Sequence, residues 1–208
     1  MASVEKFAAS AAVNQIRHIE RTIQHPSDPA HIDRTKRTQN YYLSPDKGMT
    51  SYDYYKHRRA ELHCLNRGDV KPLAGWVITA PDNLSPDNYE SFFASCYDYL
   101  CEQFGEDNCV SAVVHMDEAT PHLHFLFIPV VHTDKFPQGK ISAKECITKS
   151  VLRNFHPGLQ KHLDRNGINA QVYTGVTARQ GGNKTIRQLK QERQHTFEHQ
   201  QQYNRGLF

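Results

Sequence analysis

The sequence predicts an α+β fold: a largely antiparallel central sheet with helices packed on it. Strand and helix candidates alternate along the 208 residues with no internal repeat. Two apolar strands also lie only six residues apart, Met116 to Pro121 between them, which is the spacing of a hairpin. The order of elements then gives a sheet with helices covering one face.

Ser3 to Ala8 reads as a short strand. Ala11 to Gln24 reads as a helix, ended by the Pro26, Ser27, Asp28, Pro29 stretch. Tyr41, Tyr42 and Leu43 make a short strand before a turn at Ser44 to Asp46. Ser51 to Leu65 is expected to be helical, with Ser51 as its cap and Gly68 breaking the pattern. Leu73 to Ala80, containing Trp76, Val77 and Ile78, is a strand. Ser85, Pro86 and Asp87 open a helix that runs to Phe104 and stops at Gly105. Asn108 to His115 and His122 to Val131 form the hairpin. A turn follows at Phe136 to Gly139, then a helix from Ser150 to Asn166 and a strand from Ala170 to Tyr173. Beyond Gly181, Gly182 and Asn183, the segment from Lys184 to Tyr203 reads as an exposed, charged helix. The expected layout is therefore a main domain over 1–180 and a charged helix in 181–208, the start of a longer helical region.

Composition narrows the function classes. A chain of 23.9 kDa buries a real core as one large domain. No apolar run approaches the roughly 20 residues needed to cross a bilayer, so no membrane contact is expected from this segment. The opening MASVEKFAASAAV lacks the charged leader and apolar centre of a secretory signal, which makes the cytoplasm the expected location. The five cysteines are odd in number and contain no CxxC pair, which argues against a disulfide framework and a structural zinc knuckle. Charge is segregated: no Lys or Arg occurs between Pro72 and Asp134, so all 25 lie in the flanks. Basic outer segments around an acidic centre suit a polyanion partner and a metal-binding centre, although surface helices also vary in charge for no functional reason.

The informative stretch is His115-Met-Asp-Glu-Ala-Thr-Pro-His122-Leu-His124. Side chains alternate along a strand, so His122 and His124 share a face while Leu123 and Phe125 take the other. If the hairpin pairs as expected, His115 stands opposite them and completes a cluster of three imidazoles. Three His with open coordination positions describe a catalytic metal site on the sheet; a structural cluster is the bland alternative. Glu118 is the preferred acidic site residue of the connecting turn. For Asp117, a solvated turn carboxylate is at least as good a reading. A second constellation is Arg17-His18-Ile19-Glu20-Arg21, in which His18 and Arg21 share a helix face. That pair suits phosphate binding or nucleophilic attack, unless it is simply a solvated face. Arg34, Lys36, Arg37, Asn40, Tyr41 and Tyr42 interleave bases with aromatics, as single-stranded DNA binding requires and as an edge strand also permits.

HMDEATPHLH resembles the histidine motif of HUH endonucleases. The RHIER block, the DPAHIDRTKRTQNYYL segment, the GWVITA strand, FGEDN and GKISAKE extend the resemblance, over nearly the whole chain, to the Mob/Pre plasmid mobilisation relaxases of the MobV class. The resemblance implies an HUH relaxase-like sandwich. It further implies that His115, His122 and His124 bind a divalent metal, manganese or magnesium, with Glu118 beside it. In the same terms His18 is the nucleophile, helped by Arg21, and Tyr41 is the alternative nucleophile. Ile19 departs from the pattern, since related sequences often have a polar residue there. The implied activity is nicking at an origin of transfer through a covalent, reversible phosphoramidate. The implied partners are single-stranded or hairpin DNA of that origin and the conjugative coupling machinery. Arg17, Arg34, Lys36, Arg37, Tyr41, Lys184, Arg187 and Lys190 are the expected DNA contacts. The competing readings are a rolling-circle replication initiator with a tyrosine nucleophile, a zinc hydrolase of small substrates, and a non-catalytic DNA-binding autoregulator.

Overall fold

The computed structural model describes residues 2–22 and 32–173. The chain divides into two compact units, Met1–Val172 and Tyr173–Phe208. Apart from Tyr173, the second lies outside the described residues, and so do the expected 180/181 boundary, the expected helix from Lys184 to Tyr203, and Lys184, Arg187 and Lys190. The first unit runs β1 (Ala2–Phe7), α1 (Ala12–Ile19), β2 (Tyr41–Tyr42), α2 (Ser51–Glu61), β3 (Leu73–Thr79), α3 (Tyr89–Phe104), β4 (Cys109–His115), β5 (His122–Phe127), β6 (Val130–Thr133), β7 (Phe136–Ile141), α4 (Ala143–Cys146) and α5 (Lys149–Arg165).

Five strands form one sheet in the order β1-β3-β5-β4-β2, with every neighbouring pair antiparallel. The fully buried β4 and the alternating β5 lie at or near its centre. Leu123, Phe125 and Phe127 of β5, with Ala112 and Val114 of β4 and Trp76 of β3, enter one core with Phe92, Phe93, Cys96 and Leu100 of α3 and Phe155, Leu159 and Leu163 of α5. The opposite pleat face, through Val110 and Leu126, packs on Ala12, Ile16 and Ile19 of α1 and Tyr55 of α2. The helices therefore cover both faces, not one, because α1 carries an apolar stripe that the second face must bury and the polar α2 adds the buried ring of Tyr55.

Several boundaries differ from expectation for identifiable reasons. α1 stops at Ile19, well short of Gln24, and Arg21 adopts a left-handed backbone (φ 53°). α2 is capped by Thr50, whose hydroxyl accepts from Asp53 N–H, while the Ser51 hydroxyl donates to Glu20 Oε1. Phe136 to Gly139 is not a turn but the body of β7, which pairs with β6 as a separate ribbon, Val130 opposite Ile141 and Thr133 opposite Phe136. Pro129 separates β6 from β5, so the expected long strand is two. Ala170 to Tyr173 is not a strand either: the Gln171 and Val172 amides donate to the side chains of Asn83 and Gln160. α4 was not anticipated; Ser142 caps it by accepting from Glu145 N–H. Gly105 ends α3 as expected, its φ of 85° being open to glycine at low cost.

Trp76 joins the sheet to α5, its ring stacked on Phe155 at 3.7 Å between centroids. Trp76→Ala is expected to lower unfolding free energy by about 3–5 kcal/mol through the cavity it leaves. Urea denaturation with an unchanged midpoint would show that this stack contributes nothing.

Candidate active site

The β4–β5 register sets His115 opposite His122 and Val113 opposite His124. All three imidazoles therefore emerge on the face that α1 covers, with ring centroids 4.6 to 5.2 Å apart. One nitrogen from each lies within 4.8 Å of the others. His115 is fully buried, His122 nearly so, and His124 half-buried. Burial, reinforced by neighbouring positive charge, pushes His115 down to about 4 and His124 down to about 2. Near neutral pH both rings are uncharged, the form in which imidazole ligates metal.

Hydrogen bonds fix how these rings present themselves. His122 Nδ1 lies 2.9 Å from the Thr120 carbonyl, to which it donates, leaving Nε2 as the outward nitrogen, 3.0 Å from His124 Nε2. His115 Nε2 donates to the Ile19 carbonyl at 2.6 Å, and its Nδ1 accepts from Arg21 at 3.1 Å. Three imidazole nitrogen donors fit a divalent transition-type cation. To join the set, His115 must release one of its two contacts.

Arg21 is the hub of the surroundings. From its left-handed turn the guanidinium reaches Asp117 Oδ2 at 3.2 Å, Asp117 Oδ1 at 3.3 Å and Glu118 Oε1 at 2.5 Å, as well as His115. Burial opposes its charge, but the two carboxylates hold the group above the ordinary arginine range. Asp117 is wholly buried. Burial opposes its ionisation too, yet hydrogen bonds from Arg21 and Asn40 and the guanidinium charge carry it below the ordinary carboxylate range. The solvated-turn reading of Asp117 is thus overturned; its backbone carbonyl also accepts from Asp33 N–H at 2.7 Å. Arg21 does not share a helix face with His18, because α1 ends before it. His18 is exposed on α1 and lines a cavity of about 360 Å³ with His124, Val77 and Gln15.

A family model described as plasmid recombination enzyme, Mob_Pre, matches residues 1–191. The chain belongs to the Mob_Pre family. A plasmid recombination enzyme of Streptococcus agalactiae is 25% identical over 91% of this chain and 38% of its own length. A type 3 plasmid recombination enzyme of Mammaliicoccus lentus is 34% identical over 57% of this chain and 27% of its own length. The chain thus spans well under half of these relatives. Among solved structures, the Mn-bound MobM relaxase domain in complex with oriT DNA superimposes with a TM-score of 0.74 at 24% identity, covering 92% of this chain and 97% of that one. At that identity the likeness establishes the fold.

Within this Mob_Pre fold the remaining candidates separate. Tyr41 pairs with Val114 and so points to the α3 face, away from the histidines. Its hydroxyl is buried with no hydrogen-bond partner among the described residues, and burial raises its pKa to about 12. The structure thus places Tyr41 on the other side of the sheet from the histidines. Its neighbour Tyr42, opposite Val113, takes the histidine face and is exposed. Arg34, Lys36 and Arg37 lie on a 3-10 turn, Arg34–Gln39. Lys36 faces solvent near Asp33, while the Arg37 guanidinium donates to the Arg21 carbonyl and braces the hub. Arg17 is exposed on α1. Asp117 is the residue sequence reasoning missed. Its adjacency to His115 was a signal, but only tertiary pairing reveals its burial.

Two outcomes follow. His115 and His124 take up protons less readily folded than unfolded, so metal-free protein should lose stability as pH falls from about 6.5 toward 4, and gain none as pH rises above 6.5. Urea midpoints at stepped pH measure this; a flat profile across that window contradicts the buried neutral rings. Asp117→Ala leaves a buried guanidinium short of a partner and should cost about 3–5 kcal/mol. A cost below 1 kcal/mol in the same assay would place Arg21 in solvent instead.

Proposed function

We propose that this chain is the nicking domain of a plasmid mobilisation relaxase, which cuts one strand at an origin of transfer and stays covalently joined to it through His18. The observation that carries the reading is the placement of His18 in one cavity with His124, beside the converged His115 and His122. Family membership and the likeness to a Mn-bound, oriT-bound relaxase domain support it.

In this reading His115, His122 and His124 hold a divalent cation, Mn²⁺ or Mg²⁺. When bound, that ion supplies Lewis-acid polarisation of the scissile phosphate and absorbs developing charge. His18 attacks phosphorus; the new N–P bond forms as the P–O3′ bond breaks, the imidazole gives up its ring proton, O3′ takes one up, and the strand leaves with a free 3′-OH. Because the phosphoramidate retains the energy of the phosphodiester, that 3′-OH can reverse the step without ATP. Exposed His18 on a short helix approaches substrate directly. Arg21 acts through others: it ties the end of α1 to Asp117 and Glu118 and sets the His115 ring, as a positioning residue and not a phosphate ligand. Glu118 Oε1 lies 3.9 Å from His115 Nδ1, beside the proposed ligand set. Arg17, Arg34 and Lys36 engage phosphates, so binding weakens with salt.

The rolling-circle reading with a tyrosine nucleophile is disfavoured by the buried position of Tyr41 on the far face. The test incubates wild type, His18→Ala and Tyr41→Phe with supercoiled plasmid carrying the cognate origin and manganese, and follows the protein–DNA adduct and its acid stability. We expect an acid-labile adduct in wild type and Tyr41→Phe and none in His18→Ala. An acid-stable adduct that disappears with Tyr41→Phe would overturn the histidine mechanism, and absence of metal-dependent nicking would overturn the enzyme.

A further inference from the structure

On the flank of α1 turned away from His18, a groove of about 680 Å³ opens between that helix and the segment joining β2 to α2. Its size is that of a small-ligand site. Helical spacing accounts for the division: Val13, Ile16, Arg17 and Glu20 recur at three- and four-residue steps on this flank, while Gln15 and His18 line the other cavity. Its rim is aromatic and apolar, with Tyr42 at 56% and Met49 at 46% exposure, and Arg17 and Lys47 supply positive charge.

The polar feature of the groove is Glu20. The hydroxyls of Ser51 and Ser111 both donate to its Oε1, at 2.5 and 2.8 Å. Two donors from α2 and β4 fix the carboxylate in place. Among the described residues, no hydrogen bond or ion pair is made by Oε2, although Glu20 lines a groove that also holds two cations. A fixed acceptor oxygen beside an exposed aromatic ring is suited to a flat, π-faced ligand with an N–H edge. Cytosine, adenine and guanine present an exocyclic amino donor; thymine presents a single N–H between two carbonyls, which a carboxylate repels.

We propose that this groove captures one unpaired, amino-bearing base of the bound strand, stacked on Tyr42 and read by Glu20, a short distance along the strand from the phosphate at His18. The proposal rests on the DNA-nicking reading and adds a determinant of base preference to it. Arg17, the residue next to His18, bridges the two places by holding the intervening phosphate. Stacking on Tyr42 contributes affinity for any base, whereas Glu20 contributes discrimination.

Fluorescence anisotropy with dC15 and dT15 at one fixed salt concentration tests this, since two pyrimidine homopolymers present the same number of phosphates and similarly sized rings. Wild type is expected to bind dC15 at least about tenfold more tightly than dT15, the lower end of the worth of one hydrogen bond to a charged acceptor. Glu20→Gln keeps an oxygen for the two serines and should bring the ratio close to one. Tyr42→Ala, at an exposed position, should weaken both oligonucleotides by about tenfold. Equal binding of dC15 and dT15 by wild type, a preference unchanged in Glu20→Gln, or binding of neither oligonucleotide would overturn the proposal. Plasmid nicking measured on the same preparations separates the two readings: nicking without base preference removes the groove and leaves the relaxase, while base preference without nicking does the reverse.

Discussion

The pairing of β4 with β5 is the constraint on which the rest of this molecule depends. It sets His115 against His122 and, two residues on, Val113 against His124. Side chains alternate along both strands, so sliding one strand by a single residue would send its histidines into the α3–α5 core and its Leu, Phe or Val side chains to the other face. The penalty for such a slip is large because Leu123, Phe125 and Phe127 are fully buried and interlock with Phe92, Phe93 and Phe104. Hydrophobic packing on one face thus determines the geometry of a polar cluster on the other. The cluster need not stabilise itself, and its unfavourable burial of titratable groups is offset by the core behind it.

Arg21 supplies the second constraint, across elements instead of along them. The sheet presents the histidines, but His18 belongs to a helix of only eight residues, too short to be stable or well oriented alone. The apolar stripe of Ala12, Ile16 and Ile19 seats α1 on the sheet. The end of the helix is then locked by the guanidinium, which contacts Asp117, Glu118, His115 and the His18 carbonyl. The left-handed backbone at Arg21 goes with these contacts: the guanidinium reaches them from a turn that follows the helix. The Arg37 guanidinium caps the arrangement from outside by binding the Arg21 carbonyl. His18 and the three histidines of the sheet are held in register by one buried ion-pair cluster.

Much of this was legible in the sequence where the signal was local. The hairpin and the His122–His124 face followed from strand alternation, and the stop of α3 from Gly105. The order of strands and helices came from runs such as Trp76 to Ile78 and Tyr89 to Phe104. What escaped was what depends on partners distant in sequence. Nothing local distinguishes Asp117 from a solvated turn residue, since its burial comes from Arg21, 96 positions earlier. The early end of α1 coincides with the same ion pair, which Arg21 makes from a left-handed backbone just past the helix. Phe136 to Gly139 carries a Pro and a Gly and so resembles a turn, yet it serves in a two-stranded ribbon where both are tolerated at an edge. For Tyr41 and Tyr42 the sequence marks a strand but not which residue faces which side; only the pairing with Val114 and Val113 decides it.

That last pairing separates two tyrosines of identical chemistry by a single step of the chain. Tyr41 is committed to the core side, where burial raises its pKa and its hydroxyl has no partner among the described residues. Tyr42 reaches the other side, at the rim of the groove that carries Glu20. The sheet therefore sorts function by parity. One face is closed by two long helices and is devoted to stability. The other is only partly covered by the short α1 and by α2, leaving openings on both flanks of α1: one holds His18 and His124, the other Tyr42, Arg17 and Glu20. A strand of DNA crossing α1 would meet both openings in succession. The separation of the two openings is then set by the width of α1, roughly 10–12 Å with its side chains, and not by its length.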